Sequence, residues 1–264
     1  PGISKGNGGL YLSWRRERGE GWNTPTMFMD ATGNPTLYKT MFPTISDDNI
    51  TTVTCAAPHM SVRQVVDWNG SRNKLVPNSK DGKPEQIRTA ENNIQRLARY
   101  VECRADEFKG QGALINFKHV DVLVVTYKAT AEILETEGLP DGVEVAYFGN
   151  LTGIDRWKGV RCIIVAGGAQ VGVDAVEAMA EVIKGAELDP LDHSFGEWYA
   201  KETVGGRRRG KDEGPGLVRY YHNDPIAEAV RQTKVEGELI QVIGRGREIR
   251  RGDENPLQVD ILCN

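Results

Sequence analysis

Val122-Leu-Val-Val-Thr126 is a charge-free run with four aliphatic residues in succession. An unbroken apolar run, rather than an alternating one, marks a strand covered on both faces, as in a parallel sheet. A second such run, Arg161-Cys-Ile-Ile-Val-Ala-Gly167, follows further along the chain. Residues 143–148 read as another strand between them, and Leu257-Gln-Val-Asp-Ile-Leu-Cys263 as a last one that closes the sheet. Helices are expected between these runs, over 129–135 and over the Ala-rich 173–184. Upstream, Ile87, Ile94, Leu97, Val101 and Phe108 recur at near-helical spacing among charged residues, which predicts a long amphipathic helix over 86–109. Strand-helix alternation with fully apolar strands implies an α/β fold with helices on both faces of a parallel sheet.

Working outward, Thr26-Met-Phe-Met29 reads as a short strand running into the turn Asp30-Ala-Thr-Gly-Asn-Pro35. A helix over 35–42 follows, with Pro35 in its first turn. Segments 50–55 and 62–68 are rich in β-branched residues and read as strands, and 69–85 as a polar loop. Residues 1–24 read as loop or the remnant of a preceding domain, cut from something longer. Residues 186–222 break the rhythm. Segments 198–204 and 217–222 suit a β-hairpin joined by Gly205-Gly-Arg-Arg-Arg-Gly-Lys211. Asn223-Asp-Pro-Ile then starts a helix with Asp224 as N-cap and Pro225 at the first position. A second helix is expected over 233–250.

With 264 residues, 39% of them hydrophobic and 27% charged, the chain is long enough for one large domain or one domain and part of another. The net charge of −4 argues against coating nucleic acid by bulk charge, though not against a local basic groove. No apolar run approaches the roughly 18–20 residues that span a bilayer, and no secretory leader is expected. The four cysteines are Cys55, Cys103, Cys162 and Cys263, and neither they nor the four histidines show metal-ligand spacing. Buried thiols in a reducing cytoplasm are the expectation.

The segment Gln241-Val-Ile-Gly-Arg-Gly-Arg-Glu-Ile-Arg-Arg251 carries the chemistry. A guanidinium keeps its charge and offers a planar fork of donors suited to phosphate oxygens. In NTP-driven machines such an Arg stabilises charge on the transferred phosphoryl group from across a domain interface. The plainer alternative is an amphipathic helix with a solvated basic face. Gly244 favours the first reading, because Gly inside a helix weakens it and calls for a packing or functional reason.

This segment resembles motif VI of superfamily-2 helicases, Gln (or His)-x-x-Gly-Arg-x-x-Arg. Gln241, Gly244 and Arg245 match by position, whereas the last Arg of the pattern falls on Glu248, leaving Arg247 and Arg250 as neighbours for that role. Asp30-Ala-Thr32 resembles motif III, which ends a strand of the first RecA-like domain. Without the other motifs it is a strand-to-helix turn with an Asx cap. Tyr127-Lys128-Ala-Thr130 takes the position of motif IV at a strand end, and equally suits a helix cap. Phe148-Gly-Asn-Leu-Thr-Gly-Ile-Asp-Arg-Trp157, with the Gly-rich turn at Gly167-Gly-Ala-Gln170, occupies the region of motif V. The order of a Gly-rich turn, a hairpin insertion, an Asp-Pro helix start and an Arg-rich helix is similar to a group of phage- and plasmid-encoded primase-helicases, over about residues 25–264.

The resemblance implies that residues 1–68 end a first RecA-like domain and that 69–264 form a second, with the hairpin inserted at about 190–222. It implies ATP and Mg²⁺ bound mainly by a domain outside this chain. Arg245, Arg247 and Arg250 would act as finger residues, with Gln241, Gly244, Asp30 and Thr32 at the nucleotide. Asn150, Thr152, Lys128 and the basic residues Arg207, Arg208, Arg209 and Lys211 would meet single-stranded or forked DNA. Independently of the resemblance, clustered Arg and Lys on a hairpin neutralise phosphates, and Trp198, Tyr220 and Tyr221 at its base suit base stacking. A solvated loop with core aromatics is the alternative.

The sequence holds no Gly-x-x-x-x-Gly-Lys-Ser/Thr and no Asp-Glu pair at the end of an apolar strand. Phosphoryl transfer then lacks its two main electrostatic parts, so the chain alone is expected to be inactive as an ATPase. The expectation is the C-terminal half of an ATP-dependent DNA helicase of phage or plasmid replication, working in the cytoplasm with an N-terminal RecA-like or primase region in cis or trans. The rival is a non-catalytic nucleic-acid-binding module. A toprim-like enzyme is disfavoured, because no Asp-x-Asp occurs.

Overall fold

The computed structural model describes residues 2–6, 9–13, 19, 24–65, 68, 70–77, 83–115, 118–151, 153–188, 199–208 and 211–263. In chain order the elements are β1 (Gly2–Gly6), β2 (Gly9–Ser13), α1 (Pro35–Met41), β3 (Met60–Gln64), α2 (Arg72–Leu75) and α3 (Pro84–Phe108). Then come β4 (Ala113–Ile115), β5 (Lys118–Val120), β6 (Val122–Thr126), α4 (Lys128–Glu137), β7 (Val143–Tyr147), β8 (Cys162–Ala166) and α5 (Val173–Lys184). The chain ends with β9 (Ala200–Arg208), β10 (Lys211–Tyr221), α6 (Pro225–Gly244) and β11 (Leu257–Leu262). Short 3-10 turns occupy Asp47–Asn49 and Glu248–Arg250. Among the described residues no helix is long and apolar enough to cross a membrane.

The central sheet has five strands in the order β3-β11-β8-β6-β7, and every pairing is parallel. All five residues of β6 and of β8 are buried, as the unbroken apolar runs require. Successive side chains face opposite layers. Val122 and Val124 of β6, with Cys162, Ile164 and Ala166 of β8, pack under α2, α3 and α4 through Leu75, Ile94, Leu97, Val101 and Leu134. Leu123, Val125, Ile163, Val165, Leu257, Val259 and Ile261 pack the other way, against Leu151, Trp157, Val160 and the Leu239–Val242–Ile243 stretch of α6. The result is an α/β sheet flanked by helices, an arrangement consistent with a RecA-like fold.

The chain divides into two compact units. The larger comprises Thr54–Ala169, Gly205–Leu217 and Glu238–Asn264, and holds the central sheet. The smaller comprises Pro1–Val53, Gln170–Val204 and Val218–Gly237. Its core joins Val176 and Ala180 of α5 to Ala227 and Val230 of α6, with Leu37 of α1 packed against them. β1 and β2 form an antiparallel pair within it. His222 is buried in this unit and its tautomer is fixed by two neighbours. Nδ1 accepts from the Asp224 backbone N–H at 3.0 Å, so Nε2 carries the hydrogen and donates to Glu177 at 3.0 Å. Glu228 ties down the start of α6, accepting from Arg231, Gln232 and the His222 backbone N–H.

Several expectations hold to within a residue or two: the strands at 122–126 and 143–148, the helix at 173–184, and the long helix. The Asp224 cap also forms, its Oδ1 accepting from the backbone N–H groups of Ile226 at 2.8 Å and Ala227 at 3.0 Å. Others are corrected. Residues 26–29 form no strand. Met27 and Met29 are solvent-exposed, and Phe28 stacks near Tyr38 and Phe42 instead of entering a sheet. Residues 50–55 likewise form no strand, and 51–55 are exposed. β11 does not close the sheet at an edge but lies between β3 and β8. β3, drawn from the segment expected to end a first domain, is an edge strand of that same sheet. The two helices expected after Asn223 are one, α6, because no Pro interrupts 226–243 and the helix runs on through Gly237. It stops at Gly244 rather than 250.

The thiols divide sharply. Cys55 and Cys103 are exposed, whereas Cys162 is buried and Cys263 partly so. Burial, with the Asp260 charge nearby, pushes the Cys162 thiol up to about 12, and burial pushes Cys263 up to about 11. Thiolate is the nucleophile. Iodoacetamide on the native chain at neutral pH should therefore alkylate Cys55 and Cys103 and spare the other two until denaturant is added. Rapid labelling of Cys162 in the native protein would contradict this packing.

Candidate functional site

The second half of α6 lies across the sheet and delivers residues 245–250 to a loop, 148–161, that returns from β7 to β8. The loop is held by its apolar side chains: Leu151, Trp157 and Val160 are buried, and Ile154 packs on the same core. Trp157 Nε1 donates to Glu144 at 2.6 Å, and the Arg156 guanidinium lies over the Trp157 ring while pairing with Glu144 at 3.2 Å. That fixes the backbone at 154 and 155, where the arginines meet it.

Arg245 donates from Nη1 to the Ile154 carbonyl at 3.0 Å. Its Nε is buried and has no hydrogen-bond partner among the described residues. Arg247 donates from Nε and Nη2 to Asp155 Oδ1 at 2.8 and 2.6 Å. The Arg247 hydrogen bond, helped by the charges of Arg247, Lys158 and Arg250, holds the Asp155 carboxyl below the usual carboxylate range. Arg250 is exposed, and its side chain makes no hydrogen bond or ion pair among the described residues. Three cations, Arg247, Lys158 and Arg250, thus act on one exposed carboxylate, and Arg245 is bound one residue away at Ile154. Such a surplus of fixed positive charge suits a multiply charged anion.

Backbone geometry at this turn is specific. Arg247 has φ +53°, the left-handed region, and is the only described non-glycine residue with a positive φ. A side chain in that conformation costs roughly 1–3 kcal/mol and persists only where its surroundings hold it. Arg251 supplies part of that hold. It is buried and donates to the Gly246 carbonyl at 2.7 Å, with a second, longer bond of 3.4 Å to the carbonyl of Asn255. Burial, with Arg161 close by, lowers its pKa to about 10, so it stays charged at neutral pH. Arg161 braces the same turn by donating to the carbonyls of Gln111 and Glu254.

The two glycines of this segment differ. Gly244 is the last residue of α6 rather than an interior one, and a methyl group there would meet nothing within 4 Å. At Gly246 an added Cβ would lie 2.6 Å from Leu257 Cδ2 and 2.9 Å from Ile163 Cδ1, inside the core. The packing constraint falls on Gly246. Gly246→Ala is therefore expected to lower stability by about 1–3 kcal/mol through overpacking, while Gly244→Ala stays within about 0.5 kcal/mol. Urea denaturation of both variants checks it, and equal destabilisation would contradict the packing.

The other residues expected at a site are dispersed. Gln241 is exposed on α6, between Glu238 and Arg245. Glu238 accepts from the Gly149 backbone N–H at 2.6 Å, which anchors the exposed Asn150 turn one residue on. Seven residues of helix from Glu238 to Arg245 correspond to about 10 Å, so Asn150 and the arginines sit at different ends of this part of α6. Lys128 opens α4 at the carboxyl end of β6, paired loosely with Glu132 at 3.8 Å and near the Tyr147 ring. Beside it Tyr127 donates to the Gly70 carbonyl at 3.1 Å, and a Cβ on Gly167 would lie 2.6 Å from the Tyr127 ring. Protein atoms thus fill that corner.

In the smaller unit, Asp30 and Thr32 form a local turn. Asp30 Oδ1 accepts from the Thr32 backbone N–H at 2.9 Å and from its hydroxyl at 3.2 Å, and Oδ2 accepts from Tyr38 at 2.8 Å. This is the Asx turn, without the preceding strand that motif III requires. Arg207 and Arg208 end β9 and Lys211 opens β10, so the basic stretch is mostly strand and not a long loop. Arg209, Thr152 and Trp198 lie outside the described residues. Tyr220 is exposed near Lys201 on the hairpin. Among the described residues no group of three or more His, Cys, Asp or Glu side chains is placed to hold a metal ion.

A polar cluster that the sequence did not announce lies on the other face of the sheet. Asp260 of β11 is buried, and its carboxylate accepts from Arg63 at 2.8 and 2.9 Å, from Tyr100 at 2.9 Å and from Gln258 at 3.0 Å. The buried Arg104 pairs with it at 2.9 Å, although its Nε points poorly for a hydrogen bond. The only sequence signal was one acid inside the apolar run 257–262. Compared with known protein families, curated proteins and solved structures, the chain matches none.

Proposed function

We propose that this chain is the C-terminal half of an ATP-dependent DNA helicase, supplying an arginine finger and nucleic-acid contacts to a motor of phage or plasmid replication. The observation that carries this reading is the convergence of Arg245, Arg247 and Arg250 on the loop at 154–155, at the edge of a parallel α/β sheet. Arg245 spends only Nη1 on the Ile154 carbonyl, and a guanidinium fork is well suited to phosphoryl oxygens. ATP and Mg²⁺ would be held mainly by another RecA-like domain, in cis or in trans. When bound there, ATP would present its terminal phosphates to Arg245 and its neighbours, which stabilise charge and orient the nucleotide without transferring a proton. Single-stranded or forked DNA would lie against Asn150, Lys128 and the hairpin's basic residues. The setting is the cytoplasm of a bacterial or phage-infected cell. The test is DNA-stimulated ATP hydrolysis by the natural protein that includes this chain, with and without Arg245.

A non-catalytic nucleic-acid-binding module is the second reading. It is favoured by the fact that Arg245 and Arg247 already have acceptors within the chain. It requires DNA affinity that falls with salt and ignores both ATP and Arg245.

A further inference from the structure

Asp155 is the one acid that faces the converging cations from the loop side, and it occupies the best donor pair of Arg247. It is also exposed, as is much of Arg247, with side-chain accessibilities of 52% and 39%. An exposed ion pair in water is weak and screened. The pair nevertheless holds Arg247 in one place, because the left-handed backbone at Arg247 and the Arg245 bond to Ile154 fix both sides of it. A carboxylate carries one unit of charge on two oxygens, and so does a phosphodiester. Exchanging Asp155 for a phosphodiester therefore gains little Coulomb energy. A terminal phosphate carries nearly two charges at neutral pH, and adjacent phosphates add more, so a polyphosphate gains on exchange.

We infer that Asp155 is a specificity-determining residue: it stands in for a phosphate on Arg247 and yields that place to a nucleotide polyphosphate, but not to the phosphodiester backbone of nucleic acid. The inference rests on the phosphate-site reading above and adds selectivity to it. Binding of the polyphosphate breaks the Arg247–Asp155 hydrogen bonds and forms equivalent ones to terminal phosphoryl oxygens. Asp155, relieved of its partner, turns to solvent, where Lys158 and Arg250 remain near it.

The experiment titrates sodium tripolyphosphate and, separately, single-stranded oligothymidylate into the full chain at low salt, following heat. The chain is used as wild type, Asp155→Asn, Arg247→Gln, Arg245→Ala and the Asp155→Asn/Arg247→Gln pair. Thermal melts verify that each variant folds, as expected of an exposed site. Asp155→Asn should bind tripolyphosphate roughly twofold to fivefold tighter and gain more for oligothymidylate, so that the preference for polyphosphate narrows. Arg247→Gln should erase both gains. Unchanged or weaker tripolyphosphate binding by Asp155→Asn would overturn the inference, as would tighter binding of oligothymidylate than of tripolyphosphate by the wild type. If Arg245→Ala weakens tripolyphosphate binding while Asp155→Asn changes nothing, the selectivity role alone fails. If Arg245→Ala leaves it unaltered, the phosphate-site reading fails.

Discussion

Arg245→Ala, placed in the natural protein that includes this chain, is expected to lower DNA-stimulated ATP turnover by about 10³-fold or more. The size of the effect follows from where the guanidinium acts. A fork of donors aimed at charge that grows in the transition state stabilises that state more than the bound substrate, so the loss appears in kcat. KM for ATP should move much less. Arg245→Lys should recover little, since an ammonium cannot both hold the Ile154 carbonyl and present a second, fixed donor. The substitution removes one part-buried hydrogen bond from the fold, so the melting temperature should shift by only a few degrees. A kcat within a few-fold of wild type, in a protein that still stimulates with DNA, would remove Arg245 from the role of finger.

Asp260→Ala is expected to destabilise the chain by about 3 kcal/mol or more. Asp260 is buried and answers Arg63, Arg104 and Tyr100 at once. Arg104 is also buried, so without Asp260 its charge would face only Glu107 and the Cys162 sulfur. Arg63 is half-exposed and can turn to water, which limits its share of the loss. Replacing Asp260 and Arg104 together by Leu and Met should cost much less than the single change, because no buried charge is then stranded. The same pair sets an acid limit. Burial opposes ionisation of Asp260, yet the Arg63 hydrogen bond, the Arg104 charge and the Tyr100 hydroxyl outweigh it and hold the carboxyl below its ordinary range. A depressed native pKa contributes stability that is present above the unfolded value, about 4, and is lost as pH falls through the native one. Urea midpoints of the wild type should therefore fall below about pH 4, and Asp260→Asn should lack this increment. A wild-type acid profile shared by Asp260→Asn would contradict the assignment.

What the sequence disclosed was local or strongly periodic. The runs at 122–126 and 162–166 have one structural solution that buries every residue, and Asp224-Pro225 caps a helix with its own neighbours. Thr26–Met29 misled because an apolar tetrapeptide carries no information about whether a sheet exists to receive it. The place of β3 beside β11 depends on residues about two hundred positions apart, which no window reads. The Asp260 cluster is of the same kind, since its partners come from β3 and α3. At the candidate site, the Gln-x-x-Gly-Arg spacing drew attention to Gly244, but the packing constraint falls on Gly246. Gly244 has room around it, and only the packing of Leu257 and Ile163 singles out Gly246. Arg247 was nominated by charge, yet its left-handed backbone and its Asp155 partner arise from the meeting of two loops. Glu248, which broke the helicase pattern in the sequence, begins the 3-10 turn that carries Arg250 to the same surface.

The most direct measurement is ATP-dependent strand displacement on a forked DNA duplex by the natural protein that includes this chain, with ATP consumption followed in the same samples. A helicase half-site predicts displacement that needs ATP and disappears, together with ATP consumption, in Arg245→Ala. Salt-dependent binding of the fork with no displacement and no ATP consumption, unaffected by Arg245, would contradict it and leave a nucleic-acid-binding module.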